Sequence, residues 1–502
     1  MASKFARLWI IVLLLSTACQ TITPIAPTPT PTPTPTESVD TLAIYKPALI
    51  AGSQNDLAQL DHPSRYDLTL TYDPTPPTLS GSEEVRYFNR QSVALNEIYF
   101  RLFANYPDSG GSIKVSDLTV DGAPASSTLE AQNTALRVSL AQPLAPNTSV
   151  DLRLNFTVTI ERNSKGHYAD FTANDSVTTM PSVYPLIPAY DAQGWHIEVP
   201  PPYGDLVYAD VSMYAVTMTV PTTMTVIASG STVGTTDNGN GTTTWRLVGA
   251  PMRDFDLNVT AQLQKTSATV GETTVNAWYE PADADAGKQA LKFATDALRL
   301  FENRFGTYPY REFDVVETPT TAGGIEYPGI IVIGRALYHD PRQSQFFEFA
   351  TVHEVSHQWW YGMVGDDQVN QPWVDESLAQ YSSLIYEEET YGKSAAQTIL
   401  RNYFQDQYNH AKNAGQDMPV NLPVSAYTDA NYSAIVYGKG PLFYDAIRAK
   451  MGDATFFKFL QTYFERYRYK IATGDAILKT AQDVCGCSLQ SEYDQWILSP
   501  QK

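Results

Sequence analysis

The amino-acid sequence predicts a multi-domain protein of the β then α+β class, in which an antiparallel β-domain precedes a domain of one small sheet and several helices. Two patterns predict this. From Ser64 onward, apolar and polar residues alternate with the period of a β-strand. From about Pro281, the apolar residues recur with the period of an α-helix. A chain of 502 residues is long enough for two or three domains with buried cores.

We assign the predicted β-domain to residues 41–265. In the stretch RYDLTLTYDP, the alternation places Tyr66, Leu68 and Leu70 on one face of a strand. Farther on, two strand-like runs flank the turn-rich stretch GTTDNGNGT, whose Asn238-Gly239 pair is typical of a hairpin turn. The region is therefore predicted to form antiparallel sheets.

We assign the predicted α+β domain to residues 266–502. An amphipathic helix comes first, with Leu291, Leu298 and Phe301 on one face. The short apolar stretches FDVVET and GIIVIG then predict strands on either side of a glycine-rich segment. Beyond Phe346 almost the whole chain has a helical pattern, which indicates a small sheet followed by packed helices.

The charge of the chain argues against two kinds of partner. The formal net charge is −20, from 34 basic and 54 acidic residues. Nucleic acids bind basic surfaces, so we expect no nucleic-acid partner. An acidic chain is also unsuited to a polybasic membrane anchor.

Residues 1–19 predict a secretory signal. Lys4 and Arg7 precede an apolar run, and small residues end the segment at Cys19. The ending LLSTAC resembles a bacterial lipoprotein signal, which implies that Cys19 is lipidated and becomes the new N-terminus. Ordinary secretion, with Cys19 removed or free, is the alternative interpretation.

Residues 20–40 predict a tether. Alternating proline and threonine cannot build a helix or a sheet and favours an extended, semi-rigid chain. With a lipid at Cys19, such a tether would hold the folded part away from a membrane. We therefore expect an extracytoplasmic, membrane-anchored bacterial lipoprotein that contacts the membrane only through this lipid anchor.

Two further cysteines, Cys485 and Cys487, lie close together in VCGCSL. No Cys/His signature surrounds them, which argues against a thiol catalyst. One interpretation is a local disulfide in an oxidising compartment, and the other is two small buried residues near a helix end. Two cysteines alone make a poor metal site.

The stretch TVHEVSHQWW predicts a metal-binding helix. Residues four apart lie on the same face of a helix, so His353 and His357 can offer ring nitrogens to one tetrahedral ion. Glu354 falls beside them, where it can contact a water without being a ligand. The alternative is a helix that carries two structural histidines by chance.

A third ligand for this site is provided by QPWVDESLAQY. Glu376 follows His357 after eighteen intervening residues, and it would open a second helix once Gly362 and Gly365 have ended the first. Two histidines and a glutamate leave the fourth position of a catalytic zinc ion open for water. This third candidate argues against coincidence, and we expect one Zn²⁺ per chain.

These segments resemble peptidase family M1, a group of zinc metallopeptidases of the gluzincin type. The eighteen-residue interval is the family's spacing between the second histidine and the third ligand. The family's G-x-M-E-N motif is similar to GGIEY at Gly323 to Tyr327, and its tyrosine before Lys-Gly is matched by Tyr437 in VYGKG. The stretches MRDFDL, FGTYPY and YDQWILSP are similar too, so the resemblance runs from about Tyr66 to the end of the chain.

The resemblance implies a thermolysin-like catalytic domain over residues 266–502 and a zinc aminopeptidase that removes N-terminal residues from peptide substrates. Its zinc ligands would be His353, His357 and Glu376.

The remaining roles also follow from the resemblance. Glu354 would act as the general base, and Tyr437 would donate a hydrogen bond to the oxyanion. Glu326 would bind the substrate α-amine, while Gly323 and Gly324 would let the substrate backbone lie close.

Two departures from the family pattern bear on specificity. Ile325 and Tyr327 stand where the family usually has methionine and asparagine, so we expect different contacts in the first substrate pocket. The chain also stops soon after the catalytic domain, without the large helical C-terminal domain of many relatives. This predicts a more open cleft.

Two other functions are compatible with the same sequence. A zinc endopeptidase would use the same metal site but would have no need for Glu326. A non-catalytic surface lipoprotein would bind peptides or partners through its β-domain. Because the ligands, the base and the tyrosine are all present, the sequence favours an enzyme.

Overall fold

The computed structural model describes residues 39–340 and 344–500. These residues belong to one compact unit. The predicted signal, Cys19 and nearly all of the predicted tether lie outside the described residues. Among the helices of the described part, none combines the length and apolar character that crossing a membrane requires.

The first part of the described chain consists mainly of β-strands. Two 3₁₀ helices precede them, Val39–Ala48 and Ala51–Gln59. The strands are, in chain order, β1 (Ser64–Pro74), β2 (Pro77–Phe88), β3 (Leu95–Arg101), β4 (Gly111–Val120), β5 (Ala123–Pro124), β6 (Ser127–Glu130), β7 (Ala135–Leu144), β8 (Ser149–Ile160), β9 (Thr172–Ala173), β10 (Val177–Met180), β11 (Tyr190–Asp191), β12 (Gly194–Trp195), β13 (Ser212–Pro221), β14 (Thr225–Ala228), β15 (Ser231–Asp237), β16 (Thr242–Met252) and β17 (Leu257–Thr260). Short 3₁₀ helices interrupt them at Phe103–Asn105, Ala131–Asn133 and His167–Ala169.

The largest sheet has eight strands in the order β15-β16-β13-β1-β2-β8-β4-β5. Its pairs are antiparallel except for β1 and β13, which run parallel with Tyr66 opposite Tyr214. The predicted β-structure is confirmed, but the expectation of purely antiparallel pairing is wrong for this pair. The two strands are far apart in the chain, and a long connection permits parallel pairing where a tight hairpin does not.

Strand β1 shows why this sheet forms. Tyr66, Leu68 and Leu70 point into the core and are each 1% exposed, while the residues between them face outward or lie at intermediate depth. Two smaller sheets, ordered β14-β17-β10-β9 and β3-β7-β6, complete the region together with the β11-β12 hairpin. The predicted alternation is therefore confirmed.

The second part begins with a five-stranded sheet ordered β18-β19-β20-β22-β21. Strand β21 is the edge strand and runs antiparallel to β22. The strands are β18 (Gln264–Val270), β19 (Thr273–Tyr279), β20 (Glu312–Thr318), β21 (Gly324–Tyr327) and β22 (Ile330–Gly334), with a separate parallel pair β23 (Val364–Gly365) and β24 (Lys470–Ile471).

Helices form most of the remainder. They are α1 (Ala284–Arg304), α2 (Arg335–His339), α3 (Ser344–Ser356), α4 (Trp373–Tyr391), α5 (Lys393–Ile399), α6 (Asp406–Asn413), α7 (Asp429–Tyr432), α8 (Gly440–Met451), α9 (Asp453–Tyr467), α10 (Gly474–Cys485) and α11 (Gln490–Tyr493). Three π-helical segments, Leu400–Gln405, Ser433–Lys439 and Asp494–Leu498, and two 3₁₀ turns, Pro281–Asp283 and Val424–Ala426, join them. Helix α3 packs between α1 and α4 and lies beside β21.

Helix α3 ends at Ser356, earlier than the expected stop at Gly362 or Gly365. The Ser356 hydroxyl donates to the carbonyl oxygen of His353 at 2.8 Å. The backbone N–H of His357 reaches the same oxygen only at 3.4 Å, so the helical hydrogen-bond ladder weakens here. The expected helix end was therefore wrong by about two turns.

Cys485 and Cys487 form a disulfide at the end of α10. Both residues are half-buried, and Gly486 between them adopts the left-handed conformation that ends the helix. Of the two interpretations of these cysteines, the structure has the local disulfide.

Candidate active site

Four elements surround one cavity of about 360 Å³: the edge strand β21, helices α3 and α4, and the π-helical segment Ser433–Lys439. Seven of the eight predicted site residues line it. The eighth, His357, contacts His353. Residues from the first part of the chain, Tyr168 and Asp205, close the cavity from the other side. The predicted residues are therefore brought together.

The three predicted ligands present their donor atoms to one another. The Nε2 atoms of His353 and His357 are 3.0 Å apart. Oε2 of Glu376 lies 3.1 Å from the first nitrogen and 3.3 Å from the second. All three side chains are nearly or fully buried. The donor atoms therefore form a compact triangle inside the protein.

This triangle fits a zinc ion. Zinc bonds of about 2.0–2.1 Å in a tetrahedron place neighbouring ligand atoms roughly 3.3 Å apart, close to the three observed separations. Two imidazole nitrogens and a carboxylate oxygen are also the donor types that zinc accepts. Such a cluster of acceptor atoms is stable when a cation lies among them.

The ring of His357 is oriented by a backbone group. Its Nδ1 donates to the carbonyl oxygen of Trp360 at 2.9 Å, which leaves Nε2 free of a proton and available to a metal. The carboxylate of Asp375 is 4.0 Å from the same Nδ1. Asp375 instead accepts the backbone N–H of Glu376 at 2.7 Å, so it supports the third ligand.

Glu354 occupies the position expected of a base. Its side chain lines the cavity beside the donor triangle and is only 6% exposed as a residue. Burial raises the pKa of this carboxyl group well above its usual value, and nearby Glu326 raises it further. Raised proton affinity suits a group that must accept and release a proton.

Glu326 projects from the edge strand β21 into the same cavity. Its Oε1 accepts a hydrogen bond from Nε2 of Gln368 at 2.8 Å. The same Gln368 nitrogen also donates to Oδ2 of Asp375 at 3.0 Å. One amide thus joins the predicted amine anchor to the residue that supports the metal ligand Glu376.

Tyr437 lies on the far side of the donor triangle. Its hydroxyl donates to Oε1 of Glu376, the carboxylate oxygen that does not face His353 and His357. The π-helical segment around it places its ring 5.9 Å from the ring of Tyr432. The hydroxyl therefore lies beside the donor triangle and within the cavity.

The two glycines before Glu326 differ in their surroundings. A β-carbon at Gly323 would come no closer than 3.6 Å to its nearest neighbour, Phe346. A β-carbon at Gly324 would lie 2.5 Å from Cγ of Glu354, closer than non-bonded carbon atoms approach. Gly324 therefore leaves space for the base, a role that the sequence did not indicate.

A second, narrower cavity of about 60 Å³, here called the inner pocket, lies next to the first. The two share Tyr168, Asp205, Ile325 and Glu326 as lining residues. Tyr327 lines the inner pocket alone. The two residues that depart from the family motif, Ile325 and Tyr327, thus both face this space.

Sequence reasoning missed Asp205 and Gln368. Asp205 lines both cavities, and its pKa is raised well above the usual value by burial and then by Glu326. It lies about 120 residues before Glu326 in the PPYGDL stretch, which has no pattern that marks a site. Gln368 lies between His357 and Glu376 in the sequence. This position between two predicted ligands was a weak signal that it belongs to the site.

Comparison with known proteins agrees with this geometry. Residues 289–496 match the family model described as peptidase family M1 domain. Aminopeptidase M1-B of Oryza sativa subsp. japonica is 24% identical over 238 residues, which cover 46% of this chain and 27% of the relative. Aminopeptidase N of Streptomyces lividans is 24% identical over 228 residues, which cover 43% of this chain and 26% of that relative. The chain thus spans about a quarter of the length of these relatives.

Solved structures match over more of the chain. The M1 zinc metallopeptidase from Deinococcus radiodurans superposes with a TM-score of 0.64 and 21% identity, covering 88% of this chain and 94% of that one. A mutant of that protein bound to the substrate Tyr-Ser-Ala superposes with a TM-score of 0.63 and 20% identity. The match covers 87% of this chain and 94% of the mutant.

The fold therefore belongs to the class of two-domain M1 zinc metallopeptidases, with a β-domain followed by a mixed catalytic part. More specifically, residues 289–496 match the peptidase family M1 domain. The resemblance predicted from the motifs is confirmed.

Proposed function

We propose that this chain is a zinc-dependent aminopeptidase that removes single residues from the N-terminus of peptides. One observation carries the proposal: the buried carboxylate of Glu326 lies in the cavity that also contains the donor triangle and Glu354. A fixed carboxylate near the reacting centre suits recognition of a free, positively charged α-amine. The aminopeptidases among the relatives support the same activity.

His353, His357 and Glu376 would hold the zinc ion. When bound there, zinc supplies Lewis-acid polarisation of the scissile carbonyl and lowers the pKa of water. The protein's own part is to present these three donors already gathered, so that little rearrangement is needed on metal binding.

Glu354 would move the protons of the reaction. It accepts a proton from the attacking water and later gives it to the nitrogen of the departing peptide, so the reaction ends with a free amine and a free carboxylate. Its neighbour Gly324 leaves the carboxylate room to stay in the cavity. Tyr437 would exchange its contact with Glu376 for a hydrogen bond to the carbonyl oxygen as negative charge develops there.

Glu326 would position the substrate. Its charge-assisted hydrogen bond with the α-amine sets the distance between the N-terminus and the scissile bond. Gln368 holds one oxygen of this carboxylate and leaves the other for the amine. Asp205, which lines the cavity next to Glu326, would offer a second carboxyl oxygen to the same amine.

An endopeptidase is the second candidate, because the cavity shares the lining residues Ala322, Gly323 and Phe346 with a further depression. That depression would take the part of the peptide beyond the cut. On the other side of Glu326, however, the inner pocket measures only about 60 Å³. This volume is about one sixth of that of the cavity beside the donor triangle, and a space this small favours a bound side chain over a continuing peptide, as an aminopeptidase requires. A protein that only binds peptides would not need the base Glu354.

One peptide in two forms separates these candidates. The full chain with zinc is incubated with the peptide either free or acetylated at its N-terminus, and the products are identified by mass. We expect chelator-sensitive loss of single residues from the free form alone, and Glu326→Ala should reduce this loss strongly. Internal cuts in both forms would establish an endopeptidase instead. No cleavage of either form by the zinc-loaded chain would contradict the proposal and favour a peptide-binding protein.

We also propose that the chain is an extracytoplasmic bacterial lipoprotein anchored through Cys19. The basis is the LLSTAC signal and the proline-threonine tether behind it. In a bacterial host, the full chain should fractionate with membranes, and Cys19→Ser should release it or leave it unprocessed. A wild-type chain found only in the soluble fraction would contradict the anchor.

A further inference from the structure

The inner pocket begins where the substrate's N-terminus would bind. It shares Glu326, Asp205, Tyr168 and Ile325 with the larger cavity, and none of the three metal donors lines it. With the α-amine on Glu326 and the scissile bond near the donor triangle, the side chain of the first residue would lie next to this pocket. The pocket therefore determines which first residue fits.

Six phenylalanine and tyrosine side chains line the inner pocket. They would surround a straight aliphatic chain with apolar surface. The aromatic residues that line it are Phe103, Tyr106, Tyr168, Phe171, Tyr327 and Tyr361.

Asp254 places an incompletely bonded carboxylate in this aromatic surrounding. Its Oδ2 accepts from the Tyr361 hydroxyl at 2.9 Å and from the Ser182 hydroxyl at 3.4 Å. Its Oδ1 is buried and has no hydrogen-bond partner among the described residues, and the whole residue is 0% exposed. Buried carboxylate oxygens are normally satisfied, so this oxygen is suited to a donor from a ligand.

The basic residue next to it does not neutralise this carboxylate by contact. The guanidinium group of Arg253 donates to three backbone carbonyl oxygens, those of Tyr361 at 2.9 Å, Ala209 at 2.7 Å and Lys470 at 3.3 Å. Burial accordingly raises the pKa of Asp254 to about 7. An uncompensated buried carboxyl group gains more from a cationic partner than an exposed one does.

Apart from the tyrosines, most of the other titratable groups that line the inner pocket are carboxyl groups. Asp170, Asp205 and Glu326 line it together with Asp254. Among the described lining residues, the one side chain that can carry a positive charge is His167, and its Nδ1 already lies 3.2 Å from Oδ2 of Asp170. In the lining of the pocket, carboxyl groups therefore outnumber basic groups by four to one.

We propose that the inner pocket selects peptides whose first residue is lysine or arginine, and that Asp254 is the specificity-determining residue. The aliphatic part of such a side chain lies between the aromatic walls, and its cationic end donates to Oδ1 of Asp254. An acidic first residue is repelled by the four carboxyl groups. This inference rests on the proposed aminopeptidase activity and deepens it.

The test compares substrates that differ in one charge. The zinc-loaded full chain is assayed with the p-nitroanilides of lysine, norleucine and glutamate, because norleucine has the four-carbon chain of lysine without its ammonium group. We expect kcat/KM for lysine to exceed that for norleucine by at least about tenfold, as a buried charge-assisted hydrogen bond implies. Hydrolysis of the glutamate substrate should be the slowest.

Two variants assign the preference to one residue. Asp254→Asn should bring the lysine to norleucine ratio close to one while norleucine hydrolysis persists. Asp256→Asn is the matched control, since Asp256 is an equally buried carboxyl two residues away that pairs with Asn258 and does not line the pocket. This control should keep the wild-type ratio.

Each result has a distinct meaning. Equal or faster hydrolysis of norleucine by the wild type overturns the basic specificity while leaving the aminopeptidase intact. A ratio that survives in Asp254→Asn overturns the role of Asp254. If that variant does not fold, the inhibition constants of free L-lysine and free L-norleucine are measured on the wild type. Stronger inhibition by L-lysine is expected, and equal inhibition overturns the proposal. Absence of chelator-sensitive hydrolysis of all three substrates overturns this inference and the proposed function together.

Discussion

Gly324 lies so close to Glu354 that a β-carbon on the glycine would be 2.5 Å from Cγ and 2.7 Å from Oε1 of the glutamate. The edge strand β21 and helix α3 thus approach each other at the one place where the base needs space. Two strand positions later, Glu326 projects into the same cavity. The strand that carries Glu326, the proposed amine anchor, therefore also packs closely against Glu354, the proposed base.

The first prediction concerns this contact. Gly324→Ala should lower kcat by roughly a hundredfold, because the new methyl group displaces the carboxylate of Glu354 from the reacting atoms. Its matched control is Gly323→Ala, where the nearest atom is 3.6 Å away and Glu354 is not disturbed. Steady-state kinetics with a free peptide checks both variants. Equal kcat values for the two would show that the close approach has no catalytic consequence.

The second prediction separates metal binding from proton transfer. His357→Ala removes one of three donors and should abolish both the bound zinc and the activity. Glu354→Gln should keep about one zinc ion per chain and lose activity by roughly a hundredfold to ten-thousandfold, because only the general base is missing. Elemental analysis of the purified chains, together with kinetics, measures the two effects. Loss of zinc from Glu354→Gln would mean that this residue acts as a ligand.

The third prediction concerns Gln368, which the sequence did not indicate. Gln368→Ala removes the amide that donates to Glu326 and Asp375, so both buried carboxylates lose a hydrogen bond. We expect KM for free peptides to rise by about tenfold, since a buried unsatisfied group costs on the order of 1–3 kcal/mol. Zinc content should stay unchanged. A variant with normal KM and lower zinc content would place Gln368 in support of the metal instead.

The fourth prediction concerns stability and pH. The ring of His196 lies 3.1 Å from Glu198 and 2.9 Å from Asp191, and Glu198 also accepts a hydrogen bond from Asn370 at 2.7 Å. Burial alone would lower the pKa of His196, but the hydrogen bonds to Glu198 and Asp191 raise it to about 9.

The sign of the effect follows from these values. The unfolded chain has an ordinary histidine pKa of about 6.5, so between pH 6.5 and 9 the folded protein binds more protons than the unfolded one. The stabilisation is complete below pH 6.5 and is lost as the pH rises through about 9. Tm should therefore fall over this interval, and His196→Gln should make the fall shallower. A fall in Tm that keeps its slope in His196→Gln would contradict this assignment.

Much of the fold could be predicted because local pattern and burial agree. The alternation in β1 involves side chains two residues apart, and the helical period of α1 involves side chains one turn apart. Both patterns are therefore local in the sequence. The parallel pairing of β1 with β13 could not be predicted in this way. It depends on which distant strands meet, and the two strands have the same pattern as their antiparallel neighbours.

The end of α3 was also beyond the sequence pattern. Glycine commonly follows the end of a helix, so Gly362 and Gly365 were the expected stops. Helix α3 ends earlier, at Ser356, whose hydroxyl donates to the His353 carbonyl oxygen and weakens the helical hydrogen bonding there. Serine occurs within helices as well as at their ends, so its effect depends on how its hydroxyl is oriented.

The amino-acid sequence by itself indicated His353, His357 and Glu376 as metal ligands and Glu354 as the base, because a spacing of four residues is typical of two histidines that share a helix face, with the glutamate beside them. It also indicated Glu326 and Tyr437 through motifs that are short and local. The tertiary structure decided the rest: that Gly324 makes room for the base, that Gln368 joins Glu326 to Asp375, and that Asp205 and Asp254 face the site. These residues come from distant parts of the chain, and only packing between those parts, which no local period encodes, places them in contact.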